Sequence, residues 1–188
     1  NGNGFTIRNL KINRPEINTG LFSFTLGATI MDVGLIDVDI TLQGTNSGVL
    51  VGRAENSTFN SVYTTGTVNQ VTDAAASSFG GLIGRLQGGN VSNSWSEVNI
   101  TTVGEFVGGL IGSVSGFSGT PAQINRVFAT GNVVSADARW IGGLVGQFGG
   151  SSVINNAYTT GNVIGDFRVG GIIGYKWRGS TLTNSYAI

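Results

Sequence analysis

The sequence predicts an all-β fold, a parallel β-helix (β-solenoid) of about six coils with roughly 28–34 residues in each coil. A glycine–glycine–aliphatic–aliphatic–glycine motif recurs along the chain, and a second motif with an aromatic residue follows each copy. Neither motif shows the 3.6-residue periodicity of a helix. Both are rich in the β-branched, aromatic and glycine residues that are typical of short strands and turns.

The glycine motif sets the length of the repeat. Clear copies occupy residues 80–84, 108–112, 142–146 and 170–174, and weaker copies occupy 19–23 and 48–52. Their last positions are 29, 32, 28, 34 and 28 residues apart, so one unit has about 28 residues plus insertions. Glycine pairs fit corners where the chain turns tightly through positive φ or approaches the next coil closely.

The aromatic motif follows at residues 59–68, 91–100, 124–133, 154–163 and 182–188, with a degenerate first copy at 30–40. Its spacing places insertions at 69–78 and 113–123, where outward loops of a repeat protein belong. Any specific recognition is expected there or in the turn that follows the last glycine motif, because each repeated position has a structural explanation.

Stacked parallel coils bring equivalent side chains into files along the axis. We expect one aromatic and one aliphatic file in the core, and a third file of asparagines that either bond between coils or serve simple turn chemistry. The predicted files are Tyr63, Trp95, Phe128, Tyr158 and Tyr186 above Leu35; Leu82, Leu110, Leu144 and Ile172; and Asn99, Asn132 and Asn162.

Composition excludes several function classes. Ten basic and ten acidic residues cancel and are scattered, which argues against nucleic acid as a partner. The chain has no Cys and no His, so thiol nucleophiles, cysteine metal sites and histidine bases are excluded. No apolar run approaches 18 residues, so direct membrane insertion is not expected. We expect no enzymatic activity and no cofactor.

Residues 142–163, GGLVG followed by INNAYTTGNV, closely resemble the GLUG-motif repeats, and the resemblance extends over nearly the whole chain. The opening residues 1–15 also look like the segment that leads into such repeats in filamentous-haemagglutinin-like proteins. Members include bacterial surface adhesins and the non-catalytic parts of immunoglobulin A-cleaving peptidases. The resemblance implies an extracellular, cell-surface β-helix. It does not imply proteolysis, because the zinc-binding HExxH motif needs histidines.

Residues 1–188 are expected to form one β-solenoid domain, with a degenerate N-terminal coil at 1–40 and GLUG-like coils at 41–188. Both ends fall inside a repeat. The chain is therefore expected to be a fragment of a longer protein, covalently continuous with further repeats or domains.

Two groups of residues are candidate sites. Asp32, Asp37 and Asp39 form the one dense acidic group, in which Asp37 and Asp39 share a solvent face and weak calcium binding competes with simple solvation. The turn of Tyr175, Lys176, Trp177 and Arg178 combines aromatic rings with cations suited to a sugar ring or a protein partner, or to packing against a following coil.

Two further pairs occupy equivalent positions. Phe106 and Trp140 lie beside the glycine pair, and we expect them to pack inward rather than to form an exposed stacking file. Arg53 and Arg85 place like charges one coil apart, so the nearby Glu55 or an anionic ligand is expected to compensate.

The leading functional hypothesis is a structural or adhesive repeat module of a secreted or cell-surface protein. It would form a rigid rod or a contact surface for cells, host or matrix, with a glycan or a host or neighbouring-cell protein as ligand. The alternative is a carbohydrate-binding or carbohydrate-cleaving β-helix. A remote alternative is an ice-binding solenoid that uses the outward file Thr65, Thr130 and Thr160, which Glu97 interrupts.

Overall fold

The computed structural model describes residues 1–14, 17–42, 44–70, 78–136 and 138–188. All of the regular secondary structure in these residues is β-strand, and the strands pair in parallel. The predicted parallel β-helix of about six coils is therefore confirmed. Within the described ranges, no helix is long and apolar enough to cross a membrane.

Each coil contributes to three parallel sheets, which we call sheets A, B and C. Sheet A contains β1 (Thr6–Arg8), β2 (Lys11–Arg14), β4 (Thr29–Leu42), β7 (Thr58–Gln70), β10 (Gly89–Thr102), β13 (Ala122–Ala129), β14 (Val133–Ser135), β17 (Val153–Thr159), β18 (Val163–Gly165) and β21 (Thr181–Ala187). Sheet B contains β5 (Ser47–Gly48), β8 (Ser78–Gly80), β11 (Phe106–Gly108), β15 (Trp140–Gly142) and β19 (Val169–Gly170). Sheet C contains β3 (Phe22–Leu26), β6 (Val51–Glu55), β9 (Ile83–Gln87), β12 (Ile111–Ser115), β16 (Val145–Phe148) and β20 (Ile173–Lys176).

The chain visits the sheets in a constant order, from C to A to B and then to C of the next coil. The glycine motif joins sheet B to sheet C, and the aromatic motif lies in sheet A. The first residues already form part of this stack, because β1 and β2 pair with β4. Stacking thus follows the predicted register, with local irregularity between Leu35 and Val38 in the degenerate first copy.

The hydrophobic core runs along the axis between the three sheets. In the predicted aliphatic file, Leu82, Leu110 and Leu144 are fully buried, and Ile172 is partly buried in the last coil. Phe59, Phe79 and Phe148 are the largest fully buried side chains. Each coil therefore covers the apolar side chains of the coil before it.

The aromatic file has the predicted register but not the predicted location. Tyr63, Trp95, Phe128, Tyr158 and Tyr186 are paired coil by coil, and neighbouring ring centroids lie 4.4–5.6 Å apart. The file stands on the outer face of sheet A, where its rings are partly or largely exposed. The prediction that these rings belong to the core was wrong.

A single backbone feature explains this error. In each coil the sheet A strand has a residue with a positive φ of 47–55° at an equivalent position, and these residues are Asp32, Ser61, Asn93, Arg126, Asn156 and Asn184. β4 has a second such residue, Asp37, at φ 56°. In β10, the buried side chains are Val91 before this residue, and Ser94, Ser96, Val98, Ile100 and Thr102 after it. The left-handed residue shifts the alternation by one position, so Trp95 points outward.

The first member of the aromatic file was also misaligned by one residue. Tyr63 pairs with Gly34, whereas Leu35 pairs with Thr64 and is fully buried. A Cβ at position 34 would lie 2.2 Å from the Tyr63 ring. The file therefore ends with the Tyr63 ring packed on a glycine.

The glycine pairs are required by close approach rather than by backbone conformation. Gly109 and Gly143 are not among the glycines with positive φ. A Cβ on Gly109 would lie 2.2 Å from the carbonyl oxygen of Gly143, and a Cβ on Gly143 would lie 2.1 Å from that of Gly171. Each corner thus rests directly on the backbone of the next coil.

The two insertions are shorter than the spacing indicates. Residues 113–115 belong to β12 and residues 122–123 to β13, which leaves a loop at 116–121 that contains an antiparallel bridge between Phe117 and Thr120. In the other insertion, residues 69–70 end β7 and residue 78 begins β8. Residues 71–77 lie outside the described ranges.

The asparagine file bonds between coils. The Asn132 amide N–H donates to Asn99 Oδ1 at 3.0 Å, and the Asn162 amide N–H donates to Asn132 Oδ1 at 3.0 Å. Of the two explanations left open by the sequence, the structure supports bonding between coils, although the donors are backbone rather than side-chain amides.

Candidate functional site

The strongest candidate site is a group of five side chains in the last two coils, Trp140, Phe167, Arg168, Tyr175 and Trp177, which we call the aromatic–arginine cluster. β15 begins at Trp140, and Ile141 pairs with Val169 of β19, so Arg168 lies one coil beyond Trp140. β20 carries Tyr175, in register with Gln147 of β16. The cluster therefore straddles the corner between sheets B and C.

Trp140 is at the centre of the cluster. Its ring lies 4.9 Å from that of Phe106 in the preceding coil and 4.7 Å from that of Tyr175. The Trp177 ring contacts both Trp140 and Tyr175 edge to face, with ring centroids 6.5 and 5.1 Å apart. Stacked and edge-to-face pairs are the favoured arrangements of aromatic rings, so these rings hold one another in place.

The predicted inward packing of Phe106 and Trp140 was wrong. Their neighbours Val107 and Ile141 are fully buried, whereas Phe106 and Trp140 themselves are only partly buried. Because strand residues alternate between faces, a buried residue at 107 or 141 turns the preceding aromatic ring outward. The two rings form a stacked pair at the surface.

Arg168 supplies the positive charge of the cluster. Its guanidinium lies 4.6 Å from the Tyr175 ring centroid, 5.1 Å from that of Phe167 and 5.7 Å from that of Trp140. Such distances are typical of cation–π contacts. Its side chain makes no ion pair with the described residues, so its charge is available to a ligand.

A surface groove of about 450 Å³ opens beside the cluster. Its lining residues are Ala138, Arg139, Trp140, Asp166, Phe167 and Arg168. Arg139 is held by Glu105, with 3.1 Å between Nε and Oε1. The groove thus combines apolar ring surface with one carboxylate and a cation, which suits a small ligand that carries both apolar and hydrogen-bonding faces.

The four contact residues predicted from the sequence differ in how far they are exposed. Tyr175 is partly buried in the ring stack, whereas Trp177 remains 48% exposed. Lys176 and Arg178 are exposed and make no side-chain hydrogen bond or ion pair within the described part of the chain. Sequence reasoning missed Phe167 and Arg168, because their only signal was their position one coil beyond Trp140.

Asp37 and Asp39 share the solvent face as predicted. Each faces a cation of the preceding coil, with Arg8 Nη1 3.8 Å from Asp37 Oδ2 and Lys11 Nζ 3.6 Å from Asp39 Oδ2. Asp32 and Asp37 both have a left-handed backbone conformation, at φ 55° and 56°. Across the described ranges, no group of three or more acidic side chains is arranged to hold a metal ion.

The outward threonine file also has the predicted register in part. Thr65 pairs with Glu97, and its hydroxyl oxygen accepts a hydrogen bond from the Asp37 amide at 3.1 Å. The amides of Thr130 and Thr160 donate to the carbonyls of Ser96 and Ala129. Glu97 therefore interrupts a file that is continuous only between Thr130 and Thr160.

Comparison with known proteins gives one informative similarity. The chain is 38% identical over 137 residues, 71% of its length, to halomucin from Haloquadratum walsbyi. The match spans about 1% of halomucin, so the chain corresponds to a very small segment of that protein. No family model and no solved structure matches the chain, and the resemblance to GLUG-motif repeats stays a prediction.

Proposed function

We propose that this chain is a structural and adhesive repeat module of a secreted or cell-surface protein, without catalytic activity of its own. Halomucin is named as a mucin, and a repeat module of a surface protein fits both that similarity and the β-solenoid fold. The observation that carries the proposal is the continuous in-register stack. In six successive sheet C strands, each coil supports the next through backbone hydrogen bonds and matched side chains.

Such a stack is well suited to a rod that projects a contact surface. Every coil is bonded to its neighbours on three sheets, so bending opens several ladders at once. Charged side chains are few and balanced, and the ion pairs of Arg8, Lys11 and Arg139 lie at the surface. Among the described residues, the irregular features available for recognition are the aromatic–arginine cluster and the loop at 116–121.

Surface location is tested by protease shaving of intact cells that produce the protein. Trypsin cleavage after Arg126 and Arg139 releases the peptide of residues 127–139, which mass spectrometry identifies. We expect this peptide from intact cells, while a cytoplasmic marker protein stays undigested. Release of the peptide only after lysis would contradict surface location.

Adhesion is tested with beads that carry the purified chain. We expect them to attach to cells or to extracellular matrix more strongly than beads coated with an unrelated β-solenoid of similar length. Attachment that equals this control would leave the chain as a rod without a contact function. Surface shaving would still decide its location.

A second candidate function is carbohydrate binding, with cleavage as its extension, and the aromatic–arginine cluster favours it. Partly exposed rings beside a cation and a carboxylate are suited to stacking on sugar rings and to hydrogen bonding with hydroxyl groups. On a glycan array, Trp177→Ala is expected to lose binding. The matched control is Tyr186→Ala, because Tyr186 is also an exposed aromatic residue of the last coil but lies on sheet A.

Cleavage would appear as new reducing ends when a bound glycan is incubated with the chain. The remote ice-binding alternative is tested by ice-shaping microscopy, which should show unshaped crystals because Glu97 interrupts the threonine file. Faceted crystals would favour that alternative.

A further inference from the structure

Two arginines of sheet C stand side by side at the surface of the solenoid. Arg53 of β6 pairs in register with Arg85 of β9, and both side chains are partly buried. Neighbouring strands of a sheet are separated by about 4.8 Å, so the two cations belong to directly adjacent coils. Like charges placed opposite each other are destabilising unless a counter-charge compensates.

The acidic residue nearest to the pair is already committed. Glu55 forms an ion pair with Arg53 through Oε1 and Nη2. Arg53 Nε also donates to Gln87 Oε1 at 3.0 Å, and its guanidinium lies 5.9 Å from the Phe24 ring centroid. Arg53 is therefore held in place by two acceptors and one ring.

Arg85 lacks any such partner. Its guanidinium makes no hydrogen bond and no ion pair with the described residues. Burial lowers the pKa of Arg85 and the charge of Arg53 lowers it further, while Glu55 acts in the opposite direction. On the other side, Ser113 pairs with Arg85, but its hydroxyl oxygen already accepts a hydrogen bond from Ser78.

An unpaired guanidinium in this setting is costly. Arginine stays charged and presents five N–H donors, and partly buried polar groups are generally hydrogen-bonded. Two adjacent guanidinia with one carboxylate leave a local excess of positive charge. An oxyanion next to Arg85 would supply acceptors for its planar fork and would screen the repulsion from Arg53.

We propose that Arg85, with Arg53 beside it, is a binding site for an oxyanion. The group bound is a carboxylate, sulfate or phosphate, either free or carried by a larger ligand. Arg85 is the residue that contacts the anion, and Arg53 contributes charge while Glu55 and Gln87 hold its position. The site lies in sheet C of the second and third complete coils and is distinct from the aromatic–arginine cluster. It does not depend on the proposed surface function.

The test is isothermal titration calorimetry of the whole chain with sodium sulfate, sodium phosphate and sodium glucuronate. Sodium chloride keeps the ionic strength constant and serves as the reference salt. We expect saturable binding of at least one of these oxyanions to the wild-type chain. Arg85→Gln should weaken it by at least about tenfold, because it removes the charged donor fork. The matched control is Arg126→Gln, since Arg126 is exposed and its Nε already donates to Asn93 Oδ1 at 2.8 Å.

The three salts distinguish the chemistry of the group that is bound. Preference for glucuronate indicates a carboxylate, and preference for sulfate or phosphate indicates a tetrahedral oxyanion. Absence of binding by all three, or equal binding by the wild type and Arg85→Gln, would overturn the proposal. Equal weakening in Arg126→Gln would also overturn it, since that result means non-specific attraction to positive charge.

A second readout does not depend on a variant that folds. In the wild-type chain, the Nε–H resonance of Arg85 should shift on titration with the bound oxyanion and saturate with the same dissociation constant. The Arg126 resonance should stay nearly unchanged. An Arg85 signal that does not respond would contradict the site even if the chain binds anions elsewhere.

Discussion

Glycine 143 shows how little space separates successive coils. Hydrogen replaces a side chain that would otherwise overlap the carbonyl oxygen of Gly171, and Gly109 stands in the same relation to Gly143. The strands before and after each corner are hydrogen-bonded to the neighbouring coils in sheets B and C, so the backbone at the corner cannot move apart without breaking these bonds. Even one added methyl group at these positions would therefore clash with the backbone of the next coil.

Substitution of Gly143 by alanine is therefore expected to lower the free energy of unfolding by about 3 kcal/mol, the upper end of the usual range for overpacked sites. Gly143→Val should lower the free energy of unfolding further, because its side chain is larger. The measurement is urea denaturation followed by circular dichroism. Gly116→Ala is the control, because its Cβ would lie 3.1 Å from the nearest atom in a connecting loop. A similar loss in both variants would contradict the role of coil contact.

The outer aromatic file contributes less than a core file of the same size. Tyr158 stacks on Phe128 at 4.8 Å and on Tyr186 at 5.6 Å, but it remains partly exposed. We expect Tyr158→Ala to lower the free energy of unfolding by about 2 kcal/mol, the sum of two aromatic contacts. Phe148→Ala, at a fully buried position, should lower it by about 3–5 kcal/mol. Thermal and urea unfolding of both variants will show whether this order holds.

At the scale of the strand, a left-handed residue at an equivalent position of each coil decides which side chains face the core. Asparagine and aspartate favour this conformation, yet Ser61 and Arg126 also adopt it, which conceals the position in the sequence. Some of these residues also bond to the preceding coil, as in the donation from Asn93 Nδ2 to Asn60 Oδ1 at 2.8 Å. The left-handed residues therefore also take part in a ladder of polar side chains between coils.

The second polar ladder joins the far end of the sheet A segments. Asn132→Ala should lower the free energy of unfolding by about 1 kcal/mol, because the Asn162 amide loses its acceptor. Asn132→Asp, which keeps a side-chain oxygen, should retain most of the stability. Hydrogen exchange at the Asn162 amide is the direct measurement. Unchanged protection in Asn132→Ala would mean that water replaces the bond at no cost.

At the scale of the whole molecule, exposed apolar side chains concentrate in the first and last coils. Phe22 and Leu26 are 41% and 61% exposed, and Ile164 and Ile188 are 58% and 86% exposed. Phe22 and Leu26 lie on β3 and Ile164 lies on β18, and both strands have an unpaired edge, which is the usual starting point for association between sheets. In the intervening coils, the equivalents of Phe22 are fully buried, as at Val51 and Ile83.

We expect the isolated chain to self-associate through these end coils as its concentration rises. Leu26→Lys combined with Ile164→Lys should reduce this association, because buried charge opposes edge pairing. Sedimentation velocity over a range of concentrations measures the effect. Gln123→Lys, on an exposed position of β13 in the middle of the stack, is the control and should associate as the wild type does.

The sequence by itself determined the number of coils, the order of the motifs and most of the register. These depend only on repetition, since stacked coils place equivalent residues above one another whatever their conformation. It also determined that Arg53 and Arg85 are neighbours and that Glu55 lies close to them.

Only the tertiary structure decided which face of each strand is buried and which side chains meet across a corner. The aromatic file lies outside because a left-handed residue shifts the strand alternation, and residue type alone does not reveal that conformation at Ser61 or Arg126. The aromatic–arginine cluster joins Trp140 to Arg168 and Tyr175 across two coils and two sheets. Such contacts depend on the angle of the corner between sheets, which no spacing along the chain encodes.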